Sequence, residues 1–216
     1  MTAHDHAPLL QVQGLRFAHP GAAPLFDHAA LAIGPGITLL HDDTSAGKTT
    51  LLRVLAGELR AEGRCVLAGI DAAKEPAAWR RQVFHADGRE PALDALTPPD
   101  CAARWREGDP GCDEGTWRAL VEGFALTPHL GKRMDMLSTG SRRKVALAAA
   151  LASGRTLVLL DEPTAALDKP SVGQLWQALA RKAQAMPRQA VLLASSMPVD
   201  TVPVPLAATL TLPLHR

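Results

Sequence analysis

Short segments of alternating apolar and polar residues fill the first part of the chain. Residues 10–17 alternate moderately, Pro24–Ile33 shows a weaker form of the same pattern, and residues 34–36 (Gly-Pro-Gly) are a turn signal. Residues 36–40 then form a continuous apolar run, which is typical of a buried strand. The pattern therefore predicts three strands in this region.

A polar loop that contains glycine follows the third of these strands. Leucines and a valine then recur at helical spacing over residues 48–59, which predicts a helix. The order of strand, loop and helix is the one that a phosphate-binding loop needs.

The middle of the chain, residues 87–135, has a different character. It contains clusters of proline and aspartate at 97–100 and 109–110, with helical patterns between and after them that include residues 113–124. We interpret this segment as an inserted helical subdomain.

The last third of the chain alternates between helix and strand. The pattern predicts helices over 141–153 and 169–182, and strands over 156–160, 190–194 and 207–212. Because these strands are mostly apolar along their length and alternate with helices, we expect a mostly parallel sheet that is covered on both faces.

The composition is that of an ordinary globular domain, with 47% apolar and 21% charged residues in 216. A net charge of +1 without a basic stripe argues against nucleic acid as a partner. Three cysteines without a CxxC pair predict reduced thiols, not a disulfide framework or a zinc site. We see neither a signal-peptide pattern nor a run of about 18 apolar residues, so we expect membrane association to come through a partner protein.

Residues 42–49, Asp-Asp-Thr-Ser-Ala-Gly-Lys-Thr, match the phosphate-loop pattern GxxxxGK[ST] except at its first glycine. Main-chain N–H groups at such a loop and helix start face phosphate groups. Lys48 would neutralise the β- and γ-phosphates of a nucleotide, and the Thr49 hydroxyl would ligate Mg²⁺. The alternative is a Gly-Lys-Thr helix start that binds no ligand.

A second candidate motif is the apolar run at 157–160 that ends in Asp161 and Glu162. Such a strand delivers carboxylates to the carboxyl edge of a sheet, where ligands bind. Asp161 would hold Mg²⁺ through water, and Glu162 would polarise an attacking water. The alternative is a helix cap and a solvated charge after a buried strand.

A third motif, Leu-Ser-Thr-Gly-Ser at 137–141, is followed by Arg-Arg-Lys-Val. Taken alone, Ser138 reads as a helix N-cap. Together with the phosphate loop and with Asp-Glu-Pro-Thr-Ala-Ala-Leu-Asp at 161–168, however, it resembles the ATPases of the ABC family in order and spacing. Residues 137–145 look like the family's signature, and residues 161–168 are similar to its Walker B motif and D-loop. The short basic run is then the continuation of the signature helix.

The resemblance implies a fold of the α/β class: a P-loop NTPase core of the RecA type with an antiparallel β part and a helical subdomain. It implies one ATP-binding domain over residues 1–216, with the core in 1–89 and 136–216 and the helical subdomain in 90–135. It also implies ATP and Mg²⁺ as cofactors and a membrane-spanning permease subunit as a partner. The chain would then be cytoplasmic and peripheral on the inner face of the membrane.

The family resemblance assigns a role to each candidate residue. Lys48 and Glu162 would be catalytic, and Thr49 and Asp161 would hold Mg²⁺. The residues implied to contact ATP are His19, at the position that stacks on adenine, and the phosphate loop with the residue after it, Asp43, Thr44, Ser45, Ala46, Gly47, Lys48, Thr49 and Thr50.

The resemblance further implies a head-to-tail dimer with a second ABC cassette, identical or different. Ser138 and Gly140 would contact the γ-phosphate bound by the partner cassette, at a helix N-terminus suited to anions. Asp168 would lie at the dimer seam.

Several positions depart from the family pattern. Asp42 and Ser45 replace glycines of the phosphate loop. The glutamine that senses the γ-phosphate has no clear counterpart, because Asp87 stands near its position and Gln82 falls too early. Ser196 stands where the family has its switch histidine, and loss of one preorganised donor can lower a rate by about 10²- to 10³-fold.

Three hypotheses follow for function. The first is an active transport ATPase, favoured by the signature and by the Walker B motif with Glu162. The second is a cassette that binds ATP, hydrolyses it poorly and completes or regulates a partner cassette, favoured by the altered positions. A non-transport ABC protein of translation or DNA repair comes last, because the chain has one cassette and no heptad run.

Overall fold

The computed structural model describes residues 7–42, 47–86, 90–109 and 111–214. The strands within these ranges are β1 Leu10–Ala18, β2 Pro24–Ile33, β3 Gly36–His41, β4 Glu62–Leu67, β5 Ile70–Asp71, β6 Val83–His85, β7 Leu157–Asp161, β8 Ala190–Ser195 and β9 Ala208–Thr211. The α-helices are α1 Lys48–Leu55, α2 Pro76–Gln82, α3 Pro98–Trp105, α4 Glu114–Gly123, α5 Thr139–Ala152 and α6 Lys169–Ala185.

The central element is a five-stranded parallel sheet with the order β6-β7-β8-β3-β9. Alternate residues of β7 enter two different hydrophobic clusters. Val158 and Leu160 pack in the cluster that contains α5, whereas Leu157 and Leu159 pack in the cluster that contains α1. Both faces of the sheet are therefore covered, which confirms the expectation from its continuously apolar strands.

A second sheet, β2-β1-β4-β5, is antiparallel. Its inward residues, among them Leu10 and Val12 of β1, share a buried cluster with Leu51 and Leu55 of α1. The phosphate-loop helix is thus held between the parallel sheet on one side and the antiparallel β part on the other. The fold is the predicted combination of a P-loop core with an antiparallel β part.

In the segment 90–135, α3 and α4 pack against α5. The proline-rich cluster at 97–100 begins a helix here: the Thr97 hydroxyl caps α3, and Pro98 occupies its first turn. Proline fits this position because its fixed φ suits a helix and its missing N–H would have no partner there.

Apart from shifts of two or three residues at other helix ends, the structure differs from the sequence pattern at two places. The first helix ends at Leu55, and not near residue 59, because Gly57 has a φ of 76° that a continuing helix cannot contain. The second difference covers residues 62–82, where the pattern gave no prediction and the structure has β4, β5 and α2. No helix within the described ranges is both long enough and apolar enough to cross a membrane.

Candidate functional site

The carboxyl edge of the parallel sheet gathers the ends of three strands. Asp42 follows β3, Asp161 ends β7, and Ser196 follows β8, which lies between the other two strands. Helix α1 starts at this edge, since Gly47 is its N-cap with a φ of 107°. A side chain at position 47 would also approach Leu25 Cδ2 to 2.8 Å, so only glycine fits there without rearrangement.

Lys48 is buried at this edge, with 6% of its surface exposed. Its Nζ donates hydrogen bonds to the main-chain carbonyl of Asp42 at 2.7 Å and to the Ser196 hydroxyl at 3.1 Å. Two carboxylates also lie within ion-pair distance of Nζ: Asp42 Oδ2 at 3.9 Å and Glu162 Oε1 at 3.6 Å. The ammonium group is therefore neutralised by the protein itself in this structure.

The Glu162 carboxylate is fixed by serines. Its Oε1 accepts a hydrogen bond of 2.7 Å from the Ser196 hydroxyl, and its Oε2 accepts a longer one of 3.5 Å from the Ser195 hydroxyl. The main chain of Glu162 has a φ of 40°, in the left-handed region. Its N–H donates to the carbonyl of Ala194 at the end of β8, so the residue is tied to the neighbouring strand.

Thr49 and Asp161 form the third contact of the site. The Thr49 hydroxyl donates a hydrogen bond of 2.7 Å to Asp161 Oδ2. The other oxygen, Asp161 Oδ1, is buried and has no hydrogen-bond partner among the described residues. An unsatisfied buried carboxylate oxygen beside a threonine hydroxyl fits a hard cation such as Mg²⁺, which prefers oxygen ligands.

His19 lies close to the start of the same helix. Its ring contacts Phe17 edge to face at a centroid distance of 4.9 Å, and its Nε2 lies 3.4 Å from the Thr50 hydroxyl. His19 is exposed, and its ring lies beside the first turn of α1.

The signature residues lie at the start of α5. Ser138 is the N-cap of this helix, and its hydroxyl accepts a hydrogen bond from the Ser141 N–H at 3.1 Å. A Cβ on Gly140 would lie 2.6 Å from the carbonyl oxygen of Ala166, so this glycine lets the signature helix approach the segment after Glu162. Ser138 can cap α5 and also contact a phosphate as predicted. The cap uses only the Ser141 N–H, and the other first N–H groups of the helix have no partner within it.

Asp168 caps α6 through a hydrogen bond of 2.9 Å from the Ser171 N–H. Its carboxylate also accepts one of 2.6 Å from Lys144. The Lys144 ammonium, with the contacts to Ser171, holds the pKa of the Asp168 carboxyl well below its usual range. The predicted seam residue is therefore an ion-paired helix cap within this chain.

Some of the candidate positions lie outside the described residues, and Gln82 lies away from the site. The phosphate-loop positions Asp43, Thr44, Ser45 and Ala46 lie outside the described residues, as does Asp87. Gln82 ends α2 just before β6, at the amino edge of the sheet, where its side chain accepts a hydrogen bond from Thr156. That edge is opposite the site, which agrees with the view that Gln82 comes too early.

Sequence reasoning missed two residues of the site. Arg143 of α5 donates to the main-chain carbonyls of Asp161 and Glu162, whereas the sequence pattern predicts only that the basic run continues the signature helix. Ser195 contacts Glu162 and also accepts a hydrogen bond from the Met197 N–H. No motif predicts these contacts with Asp161 and Glu162, because they depend on packing between separate segments of the chain.

The described residues contain no group of three or more His, Cys, Asp or Glu side chains placed to hold one metal ion. The three cysteines are free thiols. Burial raises the pKa of the Cys65 thiol to about 11 and that of the Cys101 thiol to about 12, as expected for structural and unreactive cysteines.

Comparison with known proteins agrees with this geometry. Residues 36–165 match the model of the ABC transporter family. The cytochrome c biogenesis ATP-binding export protein CcmA of Pseudomonas aeruginosa is 38% identical over 166 residues, which cover 74% of this chain and 78% of that protein. The cobalt import ATP-binding protein CbiO of Rhodobacter capsulatus is 34% identical over 179 residues, which cover 78% of this chain and 63% of that protein.

A solved structure extends the likeness to the fold. An ATP-binding cassette determined as a dimer in a post-hydrolysis state, with ADP and Pi bound, superposes with a TM-score of 0.70 at 18% identity. The likeness covers 89% of this chain and 90% of that one. With the family match and the relatives at 34–38% identity, the chain belongs to the ABC transporter family and is one of its ATP-binding subunits.

Proposed function

We propose that this chain binds Mg²⁺ and ATP at the carboxyl edge of its parallel sheet and hydrolyses the ATP, and that a membrane-spanning permease subunit uses the energy for transport. One observation carries the proposal: Lys48, Glu162 and Ser196 come from distant parts of the sequence and meet through contacts of 2.7 to 3.6 Å. Phosphoryl transfer to water needs a positive charge that binds the phosphates and a positioned group that orients the water. The buried Lys48 at the start of α1 and the hydrogen-bonded Glu162 carboxylate could supply these two functions.

Lys48 would bind the terminal phosphates of ATP. Its Nζ now contacts Glu162 and Ser196, so a phosphate oxygen would take the place of protein oxygens as its partner. Glu162 would orient the attacking water and accept its proton, since its carboxylate is held at a fixed position by two serine hydroxyls.

Thr49 and Asp161 would hold Mg²⁺, because Asp161 Oδ1 has no other partner among the described residues. When bound, the ion supplies positive charge that stabilises the negative charge of the phosphate oxygens. The loop positions 43–46, with Gly47 and Thr50, would contact the phosphates, and His19 would stack on adenine.

We further propose a head-to-tail dimer with a second cassette, identical or different. Ser138 and Gly140 lie at the first turn of α5, where unpartnered N–H groups and the helix dipole suit a phosphate bound by that cassette. Asp168 would then lie at the seam. In this proposal residues 1–216 form one domain, with 90–135 as its helical subdomain, and the permease holds it at the cytoplasmic face of the membrane.

The experiment is Mg²⁺-ATP binding and steady-state hydrolysis by the purified chain, with the variants Lys48→Ala and Glu162→Gln. Lys74→Ala is the matched control, because Lys74 is exposed between β5 and α2, away from the site. We expect Lys48→Ala to abolish binding and Glu162→Gln to keep binding but lose hydrolysis, whereas Lys74→Ala behaves as the wild type.

Binding that depends on Lys48 without turnover would contradict hydrolysis by the chain alone. It would instead indicate a cassette that completes or regulates a partner. Failure of the wild type to bind Mg²⁺-ATP would overturn both functions.

A further inference from the structure

Three consecutive basic residues near the start of α5 contact three different parts of the molecule. Arg142 forms an ion pair of 2.7 Å with Asp94 in the segment 90–135. Lys144 binds Asp168, the cap of α6. Arg143, between them, donates to the main-chain carbonyls of Asp161, the last residue of β7, and of Glu162, the residue after it.

The two carbonyls that Arg143 binds belong to Asp161 and Glu162. The Nη1 atom lies 2.8 Å from the first oxygen and 2.6 Å from the second. The guanidinium is partly buried, so water competes weakly for these oxygens. Hydrogen bonds from a charged donor are stronger than neutral ones, and the planar group fixes the direction of both.

Glu162 needs such support, because its main chain lies in the left-handed region with a φ of 40°. A residue other than glycine persists in this conformation only when surrounding contacts hold it. On one side its N–H donates to Ala194 at 2.8 Å. On the other side its carbonyl accepts from the Ala165 N–H at 3.0 Å and from Arg143.

We propose that Arg143 is a positioning residue for hydrolysis: by holding the main-chain carbonyls of Asp161 and Glu162, it fixes where the Glu162 carboxylate points. This proposal rests on the proposed ATPase function. Arg143 lies in α5 about one helical turn after Gly140. The helix proposed to meet a partner's nucleotide therefore also holds the main chain of the glutamate proposed to act in its own site.

The test compares Arg143→Gln and Arg143→Lys with the wild type. Arg142→Gln is the matched control, since it removes a guanidinium from the adjacent position of the same helix. The contact that it loses is the ion pair with Asp94, not one with Asp161 or Glu162. We expect Arg143→Gln to lower kcat by about 10- to 100-fold, because small displacements of a catalytic group have effects of this size. The Kd for Mg²⁺-ATP stays within about threefold of the wild-type value, because the phosphate-binding residues are untouched.

Arg143→Lys is expected to recover part of the rate, because an ammonium can still bind one carbonyl. Hydrogen exchange provides a readout that does not need turnover. Exchange at the amides of Glu162 and Ala165, which are hydrogen-bonded around this turn, rises in Arg143→Gln and stays unchanged in Arg142→Gln.

Two results would overturn the positioning role while leaving ATP hydrolysis in place. The first is a kcat of Arg143→Gln equal to that of Arg142→Gln. The second is a loss in both variants that follows the fraction of unfolded protein. If the wild type itself does not hydrolyse ATP, the proposed function fails, and unchanged exchange at Glu162 and Ala165 then also refutes the contact's role in holding the turn.

Discussion

The hydroxyl of Ser196 donates a hydrogen bond of 2.7 Å to Oε1 of Glu162. The same hydroxyl accepts from Lys48 Nζ at 3.1 Å, so a single serine oxygen bridges the two groups proposed to act on ATP. The sequence predicts the loss of a hydrogen-bond donor at this position, because the family pattern has a histidine there. In the structure the shorter serine side chain still reaches the carboxylate.

Replacement of Ser196 tests this bridge. In Ser196→Ala, Glu162 Oε1 loses its donor and Lys48 loses an acceptor, while the fold around the exposed side chain is unchanged. A hydrogen bond to a charged group contributes about 1.5–3 kcal/mol, so we expect kcat to fall by about 10- to 100-fold. The measurement is steady-state ATP hydrolysis, and an unchanged kcat would show that the bridge has no role in turnover.

Asp42 is expected to weaken nucleotide binding. Its carboxylate is 3% exposed and lies 3.9 Å from Lys48 Nζ, so it provides negative charge where a phosphate would bind. Asp42→Asn removes the charge and keeps the main-chain carbonyl that accepts from Nζ. We expect the Kd for Mg²⁺-ATP to decrease about tenfold, as measured by titration with a fluorescent ATP analogue.

The control for this change is Glu122→Gln, which removes a negative charge from an exposed position on α4. Its Kd should equal that of the wild type, since salt screens a charge that is exposed to solvent on a separate helix. Equal or weaker binding by Asp42→Asn would contradict the idea that Asp42 competes with the phosphates.

Two glycine substitutions should have opposite effects on stability. A Cβ at Gly140 would lie 2.6 Å from a main-chain oxygen, that of Ala166, which cannot rotate away. We expect Gly140→Ala to lower the free energy of unfolding by about 1–3 kcal/mol. Gly173 lies within α6 with open space around it, so Gly173→Ala should raise that free energy by about 0.5–1 kcal/mol. Urea denaturation measures both, and equal stability of the two variants would refute the close approach at Gly140.

The buried Lys182 should make the free energy of unfolding depend on pH. Its ammonium donates to the carbonyls of Leu151 and Ser153 at the end of α5, and burial lowers its pKa from 10.5 to about 8. The nearby charges of Asp109 and Asp113 oppose this shift. The folded state thus binds fewer protons than the unfolded state between pH 8 and 10.5, so this residue's contribution to stability rises with pH across that window.

The measurement is the free energy of unfolding of the wild type and of Lys182→Met at several pH values. The difference between them should shift in favour of the wild type, by roughly 2–3 kcal/mol, as the pH rises from 8 to 10.5. The buried Cys65 and Cys101, whose thiol pKa values are raised, make the free energy of unfolding fall as the pH rises. Both proteins contain these cysteines, so their effect cancels in the difference. A difference that does not vary with pH would contradict the lowered pKa.

The sequence by itself determined the fold class, because hydrophobic periodicity and motif order are local properties. Continuously apolar strands such as β7 and β8 predict burial on both faces of the sheet. The Gly-Lys-Thr sequence predicts the start of a helix, because its glycine suits the left-handed conformation found at the N-cap. It also identified Lys48, Glu162 and Ser196 as candidates for one site. Boundaries were less certain, as the end of α1 at Leu55 shows, because a glycine in the left-handed conformation ends the helix inside a helical pattern.

Only the tertiary structure decided how these residues act on one another. The contacts of Arg143 with the carbonyls of Asp161 and Glu162, and of Glu162 with Lys48, depend on how α5, β7 and α1 pack together. Packing of this kind sets distances of a few ångströms between residues far apart in sequence, and no local pattern encodes them. The sequence thus specified which groups are present, and the packed sheet and helices determined which of them are in contact.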